Sequence, residues 1–466
     1  MKLFIIGAAS ILGPWLALTQ QWIGYTGASV VFAFMICGVM CIPIALCYGE
    51  LSGMFKNKGG TYEYVRAAFG RGAGYWVSWT TMFSYILVTL FQVICVSTVI
   101  QYVFDLDMPV TIMLAVAIVM MVMMAVLNTR DMSFTTSLQM VLFFVLLSVG
   151  LLYVIMFFVN GDFSVENWKP LFQQGMFGHN EIAGMDSGFI LAVAALVTMF
   201  YGFELIPQFA SEANYPRKKV PKLMLGAILF VVIFDSLLCL AECGMNSPDP
   251  NMSNFEYISS LSEIGGMVST TFADLYVGKW LQLAIVFANF CCMACCMIGF
   301  WMGSAHTIRD MGKTGALPVF FGKENNRGMP STGNYFMLFI VFILTLIALS
   351  GDAWINACFS LIALGVGFTY LGVSLAFLKL RKAYPDADRP WKTPGGKVTG
   401  YMAAAAGLFM AAMMIWTIIS AAMNGDYTML FMVCAFFGVI ALIWFLAKQD
   451  EKKHPERYVV DDSIFE

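Results

Sequence analysis

Two ionisable side chains stand deep inside long apolar runs, and both are carboxylic acids. Glu204 ends Phe200-Tyr201-Gly202-Phe203-Glu204, and Asp235 sits in Val231-Val232-Ile233-Phe234-Asp235-Ser236. A charged side chain is costly in hydrocarbon, so each is a candidate to bind a proton, a cation or a substrate. The competing role for Glu204 is to bond backbone groups freed by a helix break, and for Asp235 to bond a neighbouring helix. Glu204 borders one of two places where helix-disfavouring residues interrupt an apolar segment. The other is Ser10-Ile11-Leu12-Gly13-Pro14-Trp15, where Pro14 lacks an N–H and clashes with the preceding turn. Unwound backbone at bilayer depth is tolerated only where it is buried in protein or lines a cavity. There it would offer free N–H groups to a carboxylate and free carbonyls to an ammonium. Ser10, Ile11, Leu12, Gly13, Trp15, Phe200, Tyr201, Gly202, Phe203 and Glu204 are therefore the candidate substrate-binding residues. An ordinary kink in each helix is the alternative.

Other residues earn weaker readings. Trp15 and Phe203 are gating candidates, because aromatic rings beside a break can close a cavity and stack on organic cations. Glu50, with Arg309 and Asp310, is a candidate for a gate of ion pairs, with solvated loop charge as the competing reading. Cys291-Cys292 and Cys295-Cys296 cluster as soft metal ligands do. They lie in one uninterrupted apolar run with no second ligand set, so packing against neighbouring helices is preferred and no metal site is assigned. His306 is read as a structural polar group.

The elements that position these groups follow from composition. The chain has 466 residues, 60% hydrophobic and 12% charged, against about 25% charged in an ordinary soluble domain. Mean hydropathy is +0.77, and the 41 Phe and 34 Met are spread over the whole length, so a soluble globular enzyme is excluded. A net charge of -3 offers no basic face for nucleic acid. The twelve Cys fall mainly in apolar runs, which is not a disulfide framework. The opening run from Met1 lacks a small-residue cleavage pattern and is read as retained.

A spanning helix needs about 20 mainly apolar residues. Twelve such spans are predicted, at 3-25, 27-50, 74-104, 108-127, 133-160, 187-211, 222-244, 276-304, 333-350, 353-380, 398-423 and 427-448. The runs are continuous rather than alternating, so the fold class is an all-α membrane protein with twelve transmembrane helices. Lys and Arg crowd the even connections: Arg66 and Arg71, Arg130, Arg217 to Lys219, Arg309 to Arg327, Lys379 to Lys397, and the stretch after Lys448. The odd connections hold Lys169 and Lys279 beside Asp105, Asp107, Asp162, Glu166 and Asp249. Both termini are therefore expected in the cytoplasm. The longest loops on the other side, 161-186 and 245-275, are too short for a catalytic domain.

Three motifs carry a resemblance. Cys47-Tyr48-Gly49-Glu50-Leu51 is followed by Lys58-Gly59-Gly60-Thr61-Tyr62-Glu63-Tyr64-Val65 and Ala68-Phe69-Gly70 at the end of span two. Tyr201-Gly202-Phe203-Glu204 leads to Glu212-Ala213-Asn214-Tyr215-Pro216-Arg217 and Pro221 around span six. Arg309-Asp310-Met311-Gly312-Lys313-Thr314-Gly315-Ala316-Leu317-Pro318 follows span eight. In this order they resemble the amino acid-polyamine-organocation (APC) superfamily of transporters. The resemblance departs at span one, where Leu12-Gly13-Pro14-Trp15 replaces a Gly-Ser-Gly cluster and Pro14 removes one donor.

The resemblance implies a LeuT-like inverted repeat of five plus five helices, 3-160 and 187-380, with two additional helices at 398-448 and a cytoplasmic tail at 449-466. The transmembrane domain is 1-448. It implies a permease in the plasma or inner membrane, moving amino acids or related small organic amines by alternating access, with substrate against the two broken spans. Such a protein is not an enzyme and takes no cofactor. Its partners are the lipid bilayer and a small-molecule substrate; the oligomeric state is open. Some members carry a Lys in span five in place of sodium, and 135-160 contains no Lys or Arg. The coupling ion is left as proton or sodium, with Glu204, Asp235 and Ser304 as ion-coupling candidates; exchange without an ion is equally open. A polyamine or amine exchanger and a transport-inactive sensor or scaffold are the alternatives.

Overall fold

The computed structural model describes residues 1–12, 15–55, 60–210, 213 and 215–455. Gly13 and Pro14 of the first interruption, Lys58 and Gly59 of the first motif, Glu212 and Asn214 of the second, and residues 456–466 lie outside the described residues.

The chain is helical almost throughout, as continuous apolar sequence in lipid requires. The first interruption separates α1 (Lys2–Ile11) from α2 (Trp15–Thr26), and α3 (Val30–Met54) follows a single 3-10 turn. After α4 (Thr61–Phe69) come α5 (Arg71–Phe104), α6 (Val110–Leu127) and α7 (Met132–Phe158). The second interruption separates α8 (Phe189–Leu196), which runs into a 3-10 turn at Val197–Phe200, from α9 (Leu205–Ala210). Then follow α10 (Val220–Cys243), α11 (Asn254–Glu263), α12 (Val268–Tyr276), α13 (Lys279–Lys313), α14 (Ser331–Ala348), α15 (Asp352–Ala383), α16 (Lys397–Met423) and α17 (Thr428–Lys453). The α4 segment, the short antiparallel hairpin Gly178–Asn180 with Met185–Ser187, and α11 and α12 lie in stretches that the sequence predicts as connections.

Among the described residues, 11 helical stretches are long and apolar enough to cross a membrane, and Lys2–Ile11 is a shorter apolar helix. One of the 11 is Ala17–Met54, 38 residues, which as a straight helix would run about 57 Å against a hydrocarbon core of about 30 Å. It is not straight: Gly27 has φ 70°, a conformation that ends a helix and that glycine adopts without steric cost. Helix α13 runs beyond the expected end of span eight to Lys313, so His306, Arg309 and Asp310 are helical.

Helices α5 and α13 are the most buried of the long helices, while α6 and α17 turn most of their surface outward. Their large apolar residues there, such as Val119, Val122, Phe431 and Leu442, are exposed, which is the surface expected to meet lipid. Where helices must approach closely the contact residue is glycine: a Cβ at Gly367 of α15 would lie 2.4 Å from the Ala411 backbone nitrogen of α16. Over the C-terminal end of α2 the hairpin and α11 form a cover. Asn180 Nδ2 donates to the Gly24 carbonyl at 2.9 Å and to Ser259 Oγ at 3.0 Å.

Candidate functional site

The two interruptions meet. Gly202 has φ 130°, and a Cβ added to it would lie 3.1 Å from Ser10 Cβ and 3.2 Å from the Ile11 nitrogen. Only a residue without a side chain fits a left-handed turn laid on another backbone. Beside them α13 approaches equally closely, since a Cβ at Gly299 would lie 2.0 Å from Ser10 Oγ. The Cys296 thiol of the same helix donates to the Ala9 and Ser10 carbonyls at 3.5 and 3.6 Å. A broken helix leaves carbonyls without intrahelical partners, and here a cysteine takes them up. Cys295 likewise donates to the Gln139 carbonyl at 3.5 Å, while Gln139 Nε2 donates to the Cys295 carbonyl at 2.9 Å. Cys295 and Cys296 thus join helices, and among the described residues no group of three or more His, Cys, Asp or Glu could hold a metal ion.

Glu204 is buried and fully engaged. Its Oε1 accepts from Tyr85 of α5 at 3.0 Å; its Oε2 accepts from Tyr370 of α15 at 3.2 Å and from the Gly202 N–H at 3.0 Å. One carboxylate therefore binds the break to two long helices and satisfies a backbone donor that the break exposes. Tyr201 adds a further tie, donating to the Thr81 carbonyl at 3.0 Å. Around this knot the rings of Tyr85, Tyr201, Phe300, Tyr370, Phe203 and Tyr48 form a continuous aromatic layer, with Phe203 stacked on Tyr370 at 5.4 Å between centroids.

Against the other side of the breaks lies a cavity of about 50 Å³, where one water needs roughly 10–15 Å³. Ser10 and Ile11 line it from the first break, and Thr198, Met199 and Tyr201 from the second. Val88, Phe91 and Gln92 of α5, Phe300 of α13, Ile362 of α15 and Leu18 of α2 complete the wall. Gln92 and Ser10 are the polar groups to notice, since both are buried and Gln92 Oε1 and Ser10 Oγ have no hydrogen-bond partner.

Of the residues predicted to bind substrate, Ser10, Ile11 and Tyr201 therefore line this cavity, and Gly202 and Glu204 hold its shape. The others sit elsewhere. Trp15 is buried against Phe234 and Tyr153, at 5.7 and 6.2 Å, which places its ring between α10 and α7 and not at the cavity. Phe200 faces Phe34 of α3 at 6.4 Å. Leu12 is buried outside the wall, and Gly13 lies outside the described residues. Phe203 belongs to the aromatic layer.

The other candidates separate as well. Glu50 and Arg309 do not pair. Fully buried Glu50 lies 3.3 Å from Arg381 and 3.1 Å from Arg389, and its Oε2 accepts from the Thr393 N–H at 2.7 Å. Arg309 instead meets Asp310 and Glu324, at 2.8 and 3.3 Å. Sequence spacing could not distinguish these partners, because Arg381 comes from the last turn of α15 and Arg389 from the connection after it. Ser304 is buried with an unpartnered hydroxyl, and Asp235 is buried with both carboxyl oxygens unpartnered. His306 Nδ1 lies 2.8 Å from the Met302 carbonyl, a structural contact within its own helix.

The sequence reading missed Leu18, Val88, Phe91, Gln92, Thr198, Met199, Phe300 and Ile362. Signals existed for Thr198 and Met199, which directly precede the interruption at Phe200, and for Gln92, an uncharged polar residue in Leu90-Phe91-Gln92-Val93.

Residues 2–446 match a family profile described as amino acid permease. The branched-chain amino acid permease BcaP of Lactococcus lactis subsp. cremoris is 23% identical over 377 residues, 77% of this chain and 76% of that protein. The D-serine/D-alanine/glycine transporter of Escherichia coli K12 is 22% identical over 429 residues, 89% of this chain and 86% of that protein. A probable polyamine transporter of Arabidopsis thaliana is 24% identical over 396 residues, 84% of this chain and 73% of that protein.

Proposed function

The chain belongs to the amino acid permease family, and on that premise we propose that it moves a small amino acid with a neutral side chain by alternating access through the cavity between its two helix breaks. The observation that carries this reading is the placement of Ser10 and Ile11 opposite Thr198, Met199 and Tyr201 around one cavity. Peptide dipoles at the breaks are suited to the substrate's carboxylate and ammonium. The wall among the described residues holds no Asp, Glu, Lys or Arg, so a side-chain charge would be desolvated there without a partner. Gln92 and Ser10 offer the spare polar contacts. A polyamine substrate would need carboxylates facing it, and the oxygens of Glu204 are taken by Tyr85, Tyr370 and Gly202.

In this reading the chain crosses a plasma or inner membrane twelve times with both termini in the cytoplasm, and 3-160 and 187-380 are its inverted repeats. The aromatic layer around Glu204 is the inner closure of the cavity, and the Glu50–Arg389–Arg381 cluster holds the cytoplasmic end of α3 against the connection after α15. No catalytic step is assigned.

The test is uptake into proteoliposomes of purified protein, screened over neutral, acidic and basic amino acids and diamines under proton and sodium gradients. Uptake of neutral amino acids, with competition by them alone, is expected. Binding of ligand without movement would identify a sensor or scaffold, and preferential diamine exchange would replace the amino acid reading.

A further inference from the structure

Helix α10 carries a second buried acid that its position at the end of span seven had concealed. Asp235 and Glu242 are both 0% exposed. Seven residues apart with Cys239 between them, they share one helix face and are separated by about 10 Å along the axis. Among the described residues, neither oxygen of Asp235 has a hydrogen-bond partner. Glu242 Oε1 accepts from Tyr153 at 2.9 Å and from Ser269 at 2.5 Å, while its Oε2 has no partner.

Among the described residues, the groups facing these acids come from four other elements and contain no cation. Toward Glu242 are Tyr153 of α7, Ser269 of α12 and Thr19 of α2, with Cys239 and Cys243 of its own helix. Toward Asp235 are Cys292 of α13 and Cys239. An unpaired buried carboxylate is among the costliest groups a membrane interior can hold. A bound proton removes that charge, and a carboxylic acid kept for structure alone would be expected to use its hydrogen bonds, which Asp235 does not.

Both ends of the row contact elements packed around the first break. Glu242 lies where α11 and α12 cover the bundle: Asn254 Nδ2 of α11 donates to its carbonyl at 2.9 Å, and Ser269 reaches Thr19 at 3.1 Å. Asp235 follows Phe234, which packs on Trp15 just after the first break. It faces Cys292, one turn before the Cys296 thiol that bonds the Ala9 and Ser10 carbonyls. A change of charge at Asp235 therefore acts on the helices that form the first break.

We propose that Asp235 and Glu242 are the proton-binding groups that couple substrate movement to a proton gradient, with Glu242 receiving the proton beneath α11 and α12 and Asp235 holding it beside the first break. One proton passes from the side of α11 and α12 to Glu242, moves past Cys239 to Asp235, and leaves on the cytoplasmic side when the cavity opens there. This rests on the transport reading, and the experiment separates the two.

Proteoliposomes are assayed for substrate exchange, which needs no net proton movement, and for accumulation driven by an inward proton gradient, with an entrapped pH dye reporting proton entrance. Exchange by the wild type establishes transport; its absence overturns that reading, independently of coupling. With exchange present, wild-type substrate movement must acidify the lumen. Asp235→Asn and Glu242→Gln imitate the protonated groups, so exchange should persist within about twofold while gradient-driven accumulation falls at least tenfold and dye acidification disappears. Accumulation by both variants at the wild-type level overturns the proposal. So does wild-type accumulation under a sodium gradient with no dye response, a result that does not depend on the variants folding.

Discussion

Gly202 lies on Ser10. The turn that interrupts the second broken helix is built directly against the end of the first, so closely that a methyl group at Gly202 would lie 3.1 to 3.2 Å from Ser10 and Ile11. This contact makes the two interruptions one structure, and it locates the residues on which the transport cycle should be most sensitive. Gly202→Ala must accept a left-handed conformation at φ 130°, which costs an L-residue about 1–3 kcal/mol, and must also push the Ser10–Ile11 backbone away. The expected result is at least a tenfold loss of uptake with normal membrane insertion and a monodisperse purified protein. Wild-type uptake by this variant would place the site elsewhere.

The approach of α13 to the same point gives a paired test. Gly299→Ala would set its methyl group 2.0 Å from Ser10 Oγ, so the Ser10 hydroxyl must rotate away or the two helices must part. Ser10→Ala removes that oxygen and leaves a 3.2 Å contact to Cβ. The double variant should therefore recover part of the thermal stability and uptake lost by Gly299→Ala, with a coupling of about 0.5–3 kcal/mol as for residues in direct contact. Simple additivity in thermal-unfolding and uptake measurements would mean that the clash is relieved by other movements.

How far the sequence announces this arrangement depends on the residue type. Pro14, Gly202 and Glu204 break a helix or resist burial by their own chemistry, so the two interruptions could be read without knowing any partner. The walls supplied by α5, α13 and α15 could not. These helices are apolar around most of their circumference, and such a helix gives no stripe by which to choose the face toward a cavity. Trp15 was misplaced for that reason: its position next to the break suggested the cavity, while one helical turn directs its ring to Phe234 and Tyr153. Glu242 was hidden by a boundary. It stands two residues from the end of the span expected at 222-244, where sequence does not separate a buried acid from one at the membrane surface; it is fully buried, with Ser269 of α12 bonded to it.

Gln92 offers a test of specificity. Its side-chain oxygen is the buried acceptor on the α5 wall without a partner. A hydrogen bond from the substrate's ammonium to it would contribute about 1.5–3 kcal/mol, the range for bonds to charged groups. Gln92→Leu keeps the volume and removes the acceptor. We expect KM for the preferred amino acid to rise at least tenfold, with a smaller change in maximal rate, measured as initial uptake over a range of substrate concentrations. An unchanged KM would assign Gln92 to packing.

The Glu50 cluster is a latch rather than a surface ion pair, and its variants should reveal that by their asymmetry. Glu50 has no solvent exposure, and Arg389 is nearly as buried, whereas Arg381 is partly exposed. Removing one partner of a buried pair typically costs 3–5 kcal/mol, roughly, because a desolvated charge is left behind. Arg389→Ala leaves Glu50 with Arg381 and the Thr393 N–H, so the loss should fall below that range, about 1–3 kcal/mol. Arg381→Ala should cost less again, because its guanidinium is already hydrated. Glu50→Gln removes the charge partner of both arginines, leaving Arg389 bonded to the Tyr384, Pro385 and Ala387 carbonyls, but retains the shape of the Thr393 contact. The cluster holds α3 to the connection after α15, so Arg389→Ala should also raise cysteine-reagent access to Cys47, which is buried three residues before Glu50. Thermal unfolding of the three variants, combined with labelling of Cys47 in a background lacking the exposed Cys434, checks both expectations. Equal destabilisation by Arg389→Ala and Arg381→Ala, with no gain in labelling, would reduce the cluster to ordinary surface charge.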